Sequence, residues 1–264
     1  MYYYLYDTYL SEGKYDKVID RIKTRLLDLD INGKHEKLTL LKNTDELVSD
    51  EVKRGISTVV MIGNDKSFLK LVNIGARYGL TLGMIPIGDE NYLSAALGIP
   101  KEEAACDVIA ARKVLKFDLG KIKDNYFFTS LVIDKNLQRI SIQKDNLKIT
   151  PSYDASEVEI CNFFYEKPGN IPSAAHDKCV IDDGKMELMV KVMVKETGWL
   201  RTKTIGAKVD SAFQGPKFEI KSFEYLPVVL DEIKVVKTPL LVEVEPRKLN
   251  VIVGKDRTVK NIGN

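Results

Sequence analysis

Little in this chain points to disulfide or metal chemistry. It has three cysteines, Cys106, Cys161 and Cys179. An odd, widely spaced set gives neither a disulfide framework nor a CxxC metal site, so a reduced, cytoplasmic setting is expected. The two histidines, His35 and His176, have no partner at ligand spacing and are expected to be ordinary residues. No apolar run approaches the roughly 20 residues that span a bilayer, so any membrane contact is expected to be peripheral. A net charge of +2 supplies no global basic field, and nucleic acid is not an expected partner. The aromatic opening Met1 to Tyr6 has no basic leader and is not expected to be a signal peptide. Walker A and nucleophile-elbow sequences are missing. The single tryptophan, Trp199, follows Gly198 at a hairpin tip and is expected to pack in a β-rich core, with contact to a membrane interface as the alternative.

What is present is an ordinary globular balance, 44% hydrophobic and 30% charged over 264 residues, a length compatible with one large domain or two modest ones. The first 116 residues alternate strand and helix patterns. Tyr2 to Tyr6 reads as an aromatic strand, and Tyr15, Val18, Ile19, Ile22 and Leu26 share one helical face. A strand is expected at Lys37 to Leu41, a helix opening at Thr44 or Ser49, and a buried strand at Val59 to Ile62 ending at Gly63. Phe68 to Val72 suggests a helix, Leu80 to Ile87 a strand, and Asn91 to Leu97 and Glu102 to Val114 two more helices. Strands alternating with helices argue for a parallel sheet. From Phe117 the helical period disappears. Val158 to Tyr165, Met186 to Val194, Phe218 to Tyr225 and Leu240 to Val244 read as strands between turns such as Asp182-Asp183-Gly184, which suggests a β-sandwich. The expected domains are 1–116 and 117–249, with Leu249 to Val253 and the rest of 250–264 returning to the first.

Two segments carry chemistry. In Val59-Val60-Met61-Ile62-Gly63-Asn64-Asp65-Lys66-Ser67, a strand turns tightly into a helix. Such a junction gathers backbone N–H groups and the positive end of a helix dipole, which suits phosphate. Asp65 could hold Mg²⁺ directly or through water, and Ser67 could cap the helix or bond a phosphate oxygen. One βα unit later, Pro86-Ile87-Gly88-Asp89-Glu90-Asn91-Tyr92 repeats the arrangement, followed by Leu97-Gly98-Ile99-Pro100. Loops at the carboxyl ends of neighbouring parallel strands line one crevice. The plain alternative is two ordinary βα turns, the first with a serine cap.

These residues resemble the GGDGT loop, the PLGTxND-type loop and the LGIP helix end of the diacylglycerol and sphingosine kinase superfamily, and in particular the bacterial diacylglycerol kinase-like lipid kinases. The family's NPxxGxGK loop looks like Asp7 to Lys14, which keeps Gly13 and Lys14. Phe117-Asp118-Leu119-Gly120 with Tyr126-Phe127 resembles its DLG and YF entry to the second domain. Pro172 to Ala175 with Ile181 to Leu188 resembles its metal-binding hairpin. Val229-Leu230-Asp231-Glu232, Thr238-Pro239 and Val244-Glu245-Pro246-Arg247-Lys248-Leu249 resemble its DGE, TP and closing stretch. The LGIP helix and the Val-Glu-Pro ending point away from the related NAD kinases.

The resemblance implies an N-terminal Rossmann-like three-layer α/β domain followed by a C-terminal β-sandwich domain. It implies ATP and Mg²⁺ as cofactors and a lipid with a free hydroxyl as substrate, and it leaves a homodimer open. By the same resemblance the nucleotide would meet Gly13, Lys14, Gly63, Asn64, Lys66, Ser67, Gly88 and Asn91. Asp65 would organise a metal, Asp183 would hold a structural one, and Glu232 would accept the hydroxyl proton. A metal-free Asp-Gly hairpin and an exposed strand-end glutamate are the plain alternatives for the last two. Asn64 and Lys66 stand where the family has glycines, and a left-handed backbone at Lys66 would cost roughly 1–2 kcal/mol. Asp89 and Glu90 place carboxylates near the expected phosphates, where a unit charge about 4 Å away is worth roughly 4 kcal/mol at a dielectric near 20. A non-catalytic relative of the same fold, or a kinase for a soluble hydroxyl, therefore stands beside the lipid-kinase reading.

Overall fold

The computed structural model describes residues 1–11, 13–39, 41, 43–168, 180–197, 202–259 and 261–262. Pro172 to Ala175, His176, Cys179 and Trp199 lie outside the described residues. The chain divides into two units, Met1–Phe117 with Arg247–Val259, and Asp118–Pro246 with Lys260–Asn264.

In the first unit a parallel sheet runs β2 (Gly33–Lys37), β1 (Tyr2–Tyr6), β3 (Thr58–Gly63), β4 (Thr81–Pro86), and then Asn250 and Val251 of a strand that returns from the second unit. The helices are α1 (Asp16–Asp28), α2 (Thr44–Lys53), α3 (Asp65–Tyr78), α4 (Tyr92–Ala96) and α5 (Ala104–Ala111). Neighbouring strand residues point to opposite faces. A methyl on Gly75 of α3 would meet Leu82 at 2.9 Å, and one on the next strand residue, Gly83, would meet Ile109 of α5 at 2.8 Å. Helices therefore cover both faces, and β3 is buried along its whole length, as its unbroken apolar run requires.

Several element boundaries differ from expectation. β2 begins at Gly33 rather than Lys37, because β1 passes so close that a Cβ there would lie 2.3 Å from the Tyr2 carbonyl oxygen. The last helix stops at Ala111 in a left-handed Arg112, and β5 (Val114–Ile122) starts where helix had been expected to continue. His35 accepts or shares a proton with the Tyr6 hydroxyl at 2.7 Å and stacks on Tyr4, and burial lowers its pKa.

The second unit is β-rich. One antiparallel sheet contains β12 (Thr202–Gly215), β11 (Met186–Thr197), β10 (Ala155–Cys161), β7 (Ser130–Ile133), β14 (Pro227–Leu230) and β15 (Lys234–Lys237), in that order. Opposite it run β16 (Leu240–Ile252), β13 (Lys217–Ser222), β8 (Ile140–Lys144) and β9 (Leu147–Ile149), with a hairpin of β5 and β6 (Asn125–Phe127). Val158, Ile160, Leu188 and Val190 of the first sheet share one core with Ile142, Phe218, Ile220 and Val242 of the second, the arrangement of a sandwich. Strands expected at 240–244 and 249–253 are one strand, β16, which passes through a positive φ of 50° at Arg247. Among the described residues no helix is long and apolar enough to cross a membrane.

The DLG and YF segments have a packing cause. Gly120 pairs with Phe127 across the β5–β6 hairpin, and a Cβ on Gly120 would sit 2.0 Å from the Phe127 ring. Asp118 is buried and accepts the Gly184 N–H at 2.7 Å, which ties this hairpin to the Asp182-Asp183-Gly184 turn.

Candidate functional site

In the first unit, the loops following β1, β3 and β4 meet at the carboxyl ends of their strands. The Ile87 N–H donates to the Gly63 carbonyl at 3.0 Å, and the Asp65 N–H to the Glu90 carbonyl at 3.3 Å. The Tyr9 hydroxyl donates to the Ile87 carbonyl at 2.8 Å, and the Ser67 hydroxyl to the Asp7 carboxylate at 2.5 Å. Gly63, Asn64, Ser67, Gly88 and Asn91 are thereby brought together, with Asp7, Tyr9 and Tyr15 beside them.

The glycine positions have different causes. Gly63 has ordinary φ but no room, since a Cβ would lie 2.8 Å from Ser67 Oγ and 3.3 Å from Asp7 Cβ. Gly88 has φ +79° and lies under Tyr15, whose hydroxyl would be 3.2 Å from a Cβ. Asn64 is extended, not left-handed, and is the N-cap of α3. Its side-chain oxygen accepts the Ser67 N–H at 3.1 Å and the Ser67 hydroxyl lies 3.0 Å away. Lys66 lies in the first turn of α3, so the strain expected there does not arise. Its ammonium instead pairs with Glu90 at 3.2 Å, which offsets one of the two carboxylates expected to repel phosphate. The left-handed residue is Glu90 itself, at φ 58°.

Asp65 is buried, and its carboxylate accepts the Leu93 N–H at 2.7 Å and the Ser94 N–H at 3.1 Å. Burial pushes its pKa up to about 6, against the opposing pull of those amides. It joins α3 to α4, and both oxygens are already bonded, which does not suit direct metal ligation. Asp7 behaves oppositely. Burial alone would raise its pKa, but hydrogen bonds from Ser67 and Thr8 and the nearby Lys70 bring it below the usual value. Asn91 donates to the Gly88 carbonyl at 2.7 Å, as does Lys101 at 3.2 Å. Gly13 turns the chain at φ 74°, and the Lys14 ammonium lies 5.0 Å from the Tyr15 ring centre.

In the second unit, Asp231 and Glu232 form the turn between β14 and β15, both with positive φ, 49° and 58°. The buried Asp231 carboxylate accepts from the Phe128 N–H (2.8 Å), the Thr129 N–H and hydroxyl (both 2.7 Å) and, more weakly, the Ser130 N–H (3.3 Å). Burial raises its pKa against those donors. The neighbouring Glu232 is 58% exposed and pairs with Lys167. Both line a cavity of about 320 Å³, walled by Phe163, Phe164 and Tyr165. The cavity floor carries Lys191, 2.7 Å from Glu157 and 2.6 Å from Glu159. Burial would lower the Lys191 pKa, but the two carboxylates more than reverse this and hold it charged.

Asp183 accepts the Lys185 N–H at 3.0 Å, and burial raises its pKa, with Asp118 and Asp182 adding to the shift. Among the described residues no group of three His, Cys, Asp or Glu side chains is arranged to hold a metal. Sequence reasoning placed Asp7 and Tyr9 in the NPxxGxGK-like segment and Tyr15 in the first helix without giving any of them a role, and it missed the Glu157–Lys191–Glu159 group. Asp7 was within reach, because it follows β1 as Asn64 follows β3. The group on β10 and β11 was not, because its members are brought together only by strand register.

Residues 3–122 match the family model of the diacylglycerol kinase catalytic domain. No curated protein matches the chain. Among solved structures, a "putative diacylglycerol kinase" from Bacillus anthracis str. Sterne is 18% identical, with a TM-score of 0.75 and 96% of each chain covered. A diacylglycerol kinase from the same organism is 20% identical, with a TM-score of 0.73, covering 96% of this chain and 97% of that one. At these identities the likeness is one of fold. Residues 3–122 thus match the diacylglycerol kinase catalytic domain, and along nearly its whole length the chain shares the fold of these two structures.

Proposed function

We propose that this chain transfers a phosphoryl group from Mg·ATP to the hydroxyl of a lipid. The observation that carries the reading is the junction of the Gly63 and Gly88 loops through the Ile87–Gly63 and Asp65–Glu90 backbone bonds, at the carboxyl ends of adjacent parallel strands. Phosphates would lie along these loops, with Lys66 released from Glu90 to meet them and Lys14 alongside. Mg²⁺ arrives with the nucleotide as part of the substrate. Asp65 acts as a positioning residue that locks the two loops together. The lipid headgroup enters the cavity of the second unit, where Glu232 accepts the proton of the attacking hydroxyl and Lys167 holds the carboxylate. Catalysis is then positioning and charge neutralisation.

A second reading is a non-catalytic relative. It is favoured by Asn64 and Asp7, which occupy the Ser67 N–H and the Ser67 hydroxyl, respectively, that a phosphate oxygen would need. Calorimetry with Mg·ATP separates the two. Micromolar binding supports the kinase, and no heat at millimolar nucleotide supports the relative. The direct test is transfer of radiolabelled phosphate from ATP into a total lipid extract. Transfer is expected from the wild type and not from Glu232→Gln, and transfer only to water-soluble acceptors would sink the lipid assignment.

A further inference from the structure

Strand alternation gives β10 and β11 two faces. Val158, Ile160, Leu188 and Val190 enter the sandwich core. Glu157 and Glu159 of β10, and Lys191, which stands opposite Glu157 on β11, therefore lie on the other face. Charged residues are ordinary on an outer sheet face, but these are largely withdrawn from water. Glu159 is 8% exposed, and the Lys191 side chain 18%. They line one cavity with Glu232, Lys167 and the aromatic segment Phe163 to Tyr165. Taking ions out of water is costly, and a buried ion group is often no more stabilising than apolar residues of the same volume. Stability therefore does not account for this group. An acyl chain laid on it would desolvate the charges further. Hydroxyls, by contrast, make strong charge-assisted hydrogen bonds to such fixed ions.

Charge balance selects among headgroups. The described lining sets Glu157, Glu159 and Glu232 against Lys167 and Lys191. Lys191 is engaged by Glu157 at 2.7 Å and Glu159 at 2.6 Å, and Lys167 by Glu232. An anionic headgroup would meet an excess of carboxylate, with both ammoniums already taken. A neutral headgroup with several hydroxyls can accept from Lys191 and donate to the glutamates without separating them. Phe164 and Tyr165 are half-buried on the cavity wall. The negative face of an aromatic ring attracts polarised C–H groups such as those of a sugar ring. At about 320 Å³ the cavity is near the lower end of small-molecule sites, which suits one headgroup rather than a pair of acyl chains.

We infer that Glu157, Glu159 and Lys191 are specificity-determining residues that select a lipid with a neutral, polyhydroxylated headgroup of the sugar type. The inference rests on the reading of this cavity as the place where the lipid headgroup enters. The test is calorimetry on the full chain without nucleotide, using soluble dihexanoylglycerol, its glucosyl derivative, dihexanoyl phosphatidylglycerol and methyl glucoside. The glucosyl lipid is expected to bind at least about tenfold more tightly than either other lipid, because only it pairs the polar floor. It should also bind more tightly than methyl glucoside, which has no chains. Combined Glu157→Leu, Glu159→Leu and Lys191→Met leaves no ion buried alone, so it should melt no lower than wild type while losing the preference. Glu157→Gln, a smaller change, should weaken the glucosyl lipid about fivefold and leave dihexanoylglycerol unaltered. Phosphate transfer from Mg·ATP, measured alongside, separates the two readings. Selective binding without transfer to any acceptor would sink the kinase and leave the selectivity standing. Transfer with equal affinity for the three lipids would do the reverse. Tighter binding of the phosphatidylglycerol, equal binding of methyl glucoside, or a preference that survives in both variants would each overturn the inference.

Discussion

Replacing Asp231 with alanine should separate what holds the β14–β15 turn from what acts on it. The Asp231 carboxylate is 3% exposed and receives three backbone N–H groups and one hydroxyl from residues 128–130. Alanine strands those donors in the interior, each at about 1–3 kcal/mol. Part of this is returned, because an anionic group that burial disfavours has also been removed. The net expectation is a loss of about 3–5 kcal/mol, in the range found when one partner of a buried charged network is deleted. At about 4 °C per kcal/mol for a unit of this size, the second unit should melt roughly 12–20 °C lower. Glu232→Gln, one residue along, alters an exposed ion pair with Lys167 and should change stability by less than about 1 kcal/mol. Urea unfolding of both variants, beside the phosphate-transfer assay, gives the comparison. The reasoning fails if Asp231→Ala unfolds within 1 kcal/mol or so of wild type, or if Glu232→Gln is the less stable of the two.

Glu232→Gly should relieve a left-handed non-glycine residue and stabilise the second unit by about 0.5–1 kcal/mol while removing transfer activity, read by urea melts and the lipid assay. Asp65, raised to about 6 from an ordinary 3.8, binds more protons folded than unfolded, so its contribution makes stability fall by about 3 kcal/mol as pH rises from about 4 to 6. Denaturant midpoints across that window should show the slope, and Asp65→Asn should flatten it. Asn64→Gly should cost only a few tenths of a kcal/mol in helix capping and free the Ser67 N–H, so calorimetry should show tighter Mg·ATP binding. Unchanged affinity would favour the non-catalytic reading. Gly120→Val should unfold the second unit, seen by loss of its cooperative melt, because no side chain fits under the Phe127 ring.

The alternation of strand and helix up to residue 111 was legible because β3 and β4 are buried on both faces and so carry unbroken apolar runs. The loops at Gly63 and Gly88 were legible for the same reason, since each follows such a run directly. The conformations within them were not. Whether Asn64 would turn left-handed or cap α3 depends on Ser67 three residues on, and on the Asp7 carboxylate that holds the Ser67 hydroxyl from sixty residues before it, which local propensity does not encode. The expected strand to Tyr225 stopped at Ser222 because Thr238, sixteen residues later, takes up the backbone groups of the following loop. Lys191 reads as an ordinary surface lysine until β10 and β11 pair and set Glu157 and Glu159 beside it.

The return of residues 247–259 to the first unit has a bearing on how the protein is made. Val253 donates to the Lys113 carbonyl, Gly254 to that of Leu97, and Thr258 to that of Ala96. A side chain at 254 would meet the Gly98 carbonyl oxygen at 1.7 Å. On the ribosome, the first 117 residues emerge early but wait with an open edge at β4 until residue 259 has left the exit tunnel. A nascent chain cut short near residue 246 would therefore carry a translated second unit beside a first one still missing its fifth strand.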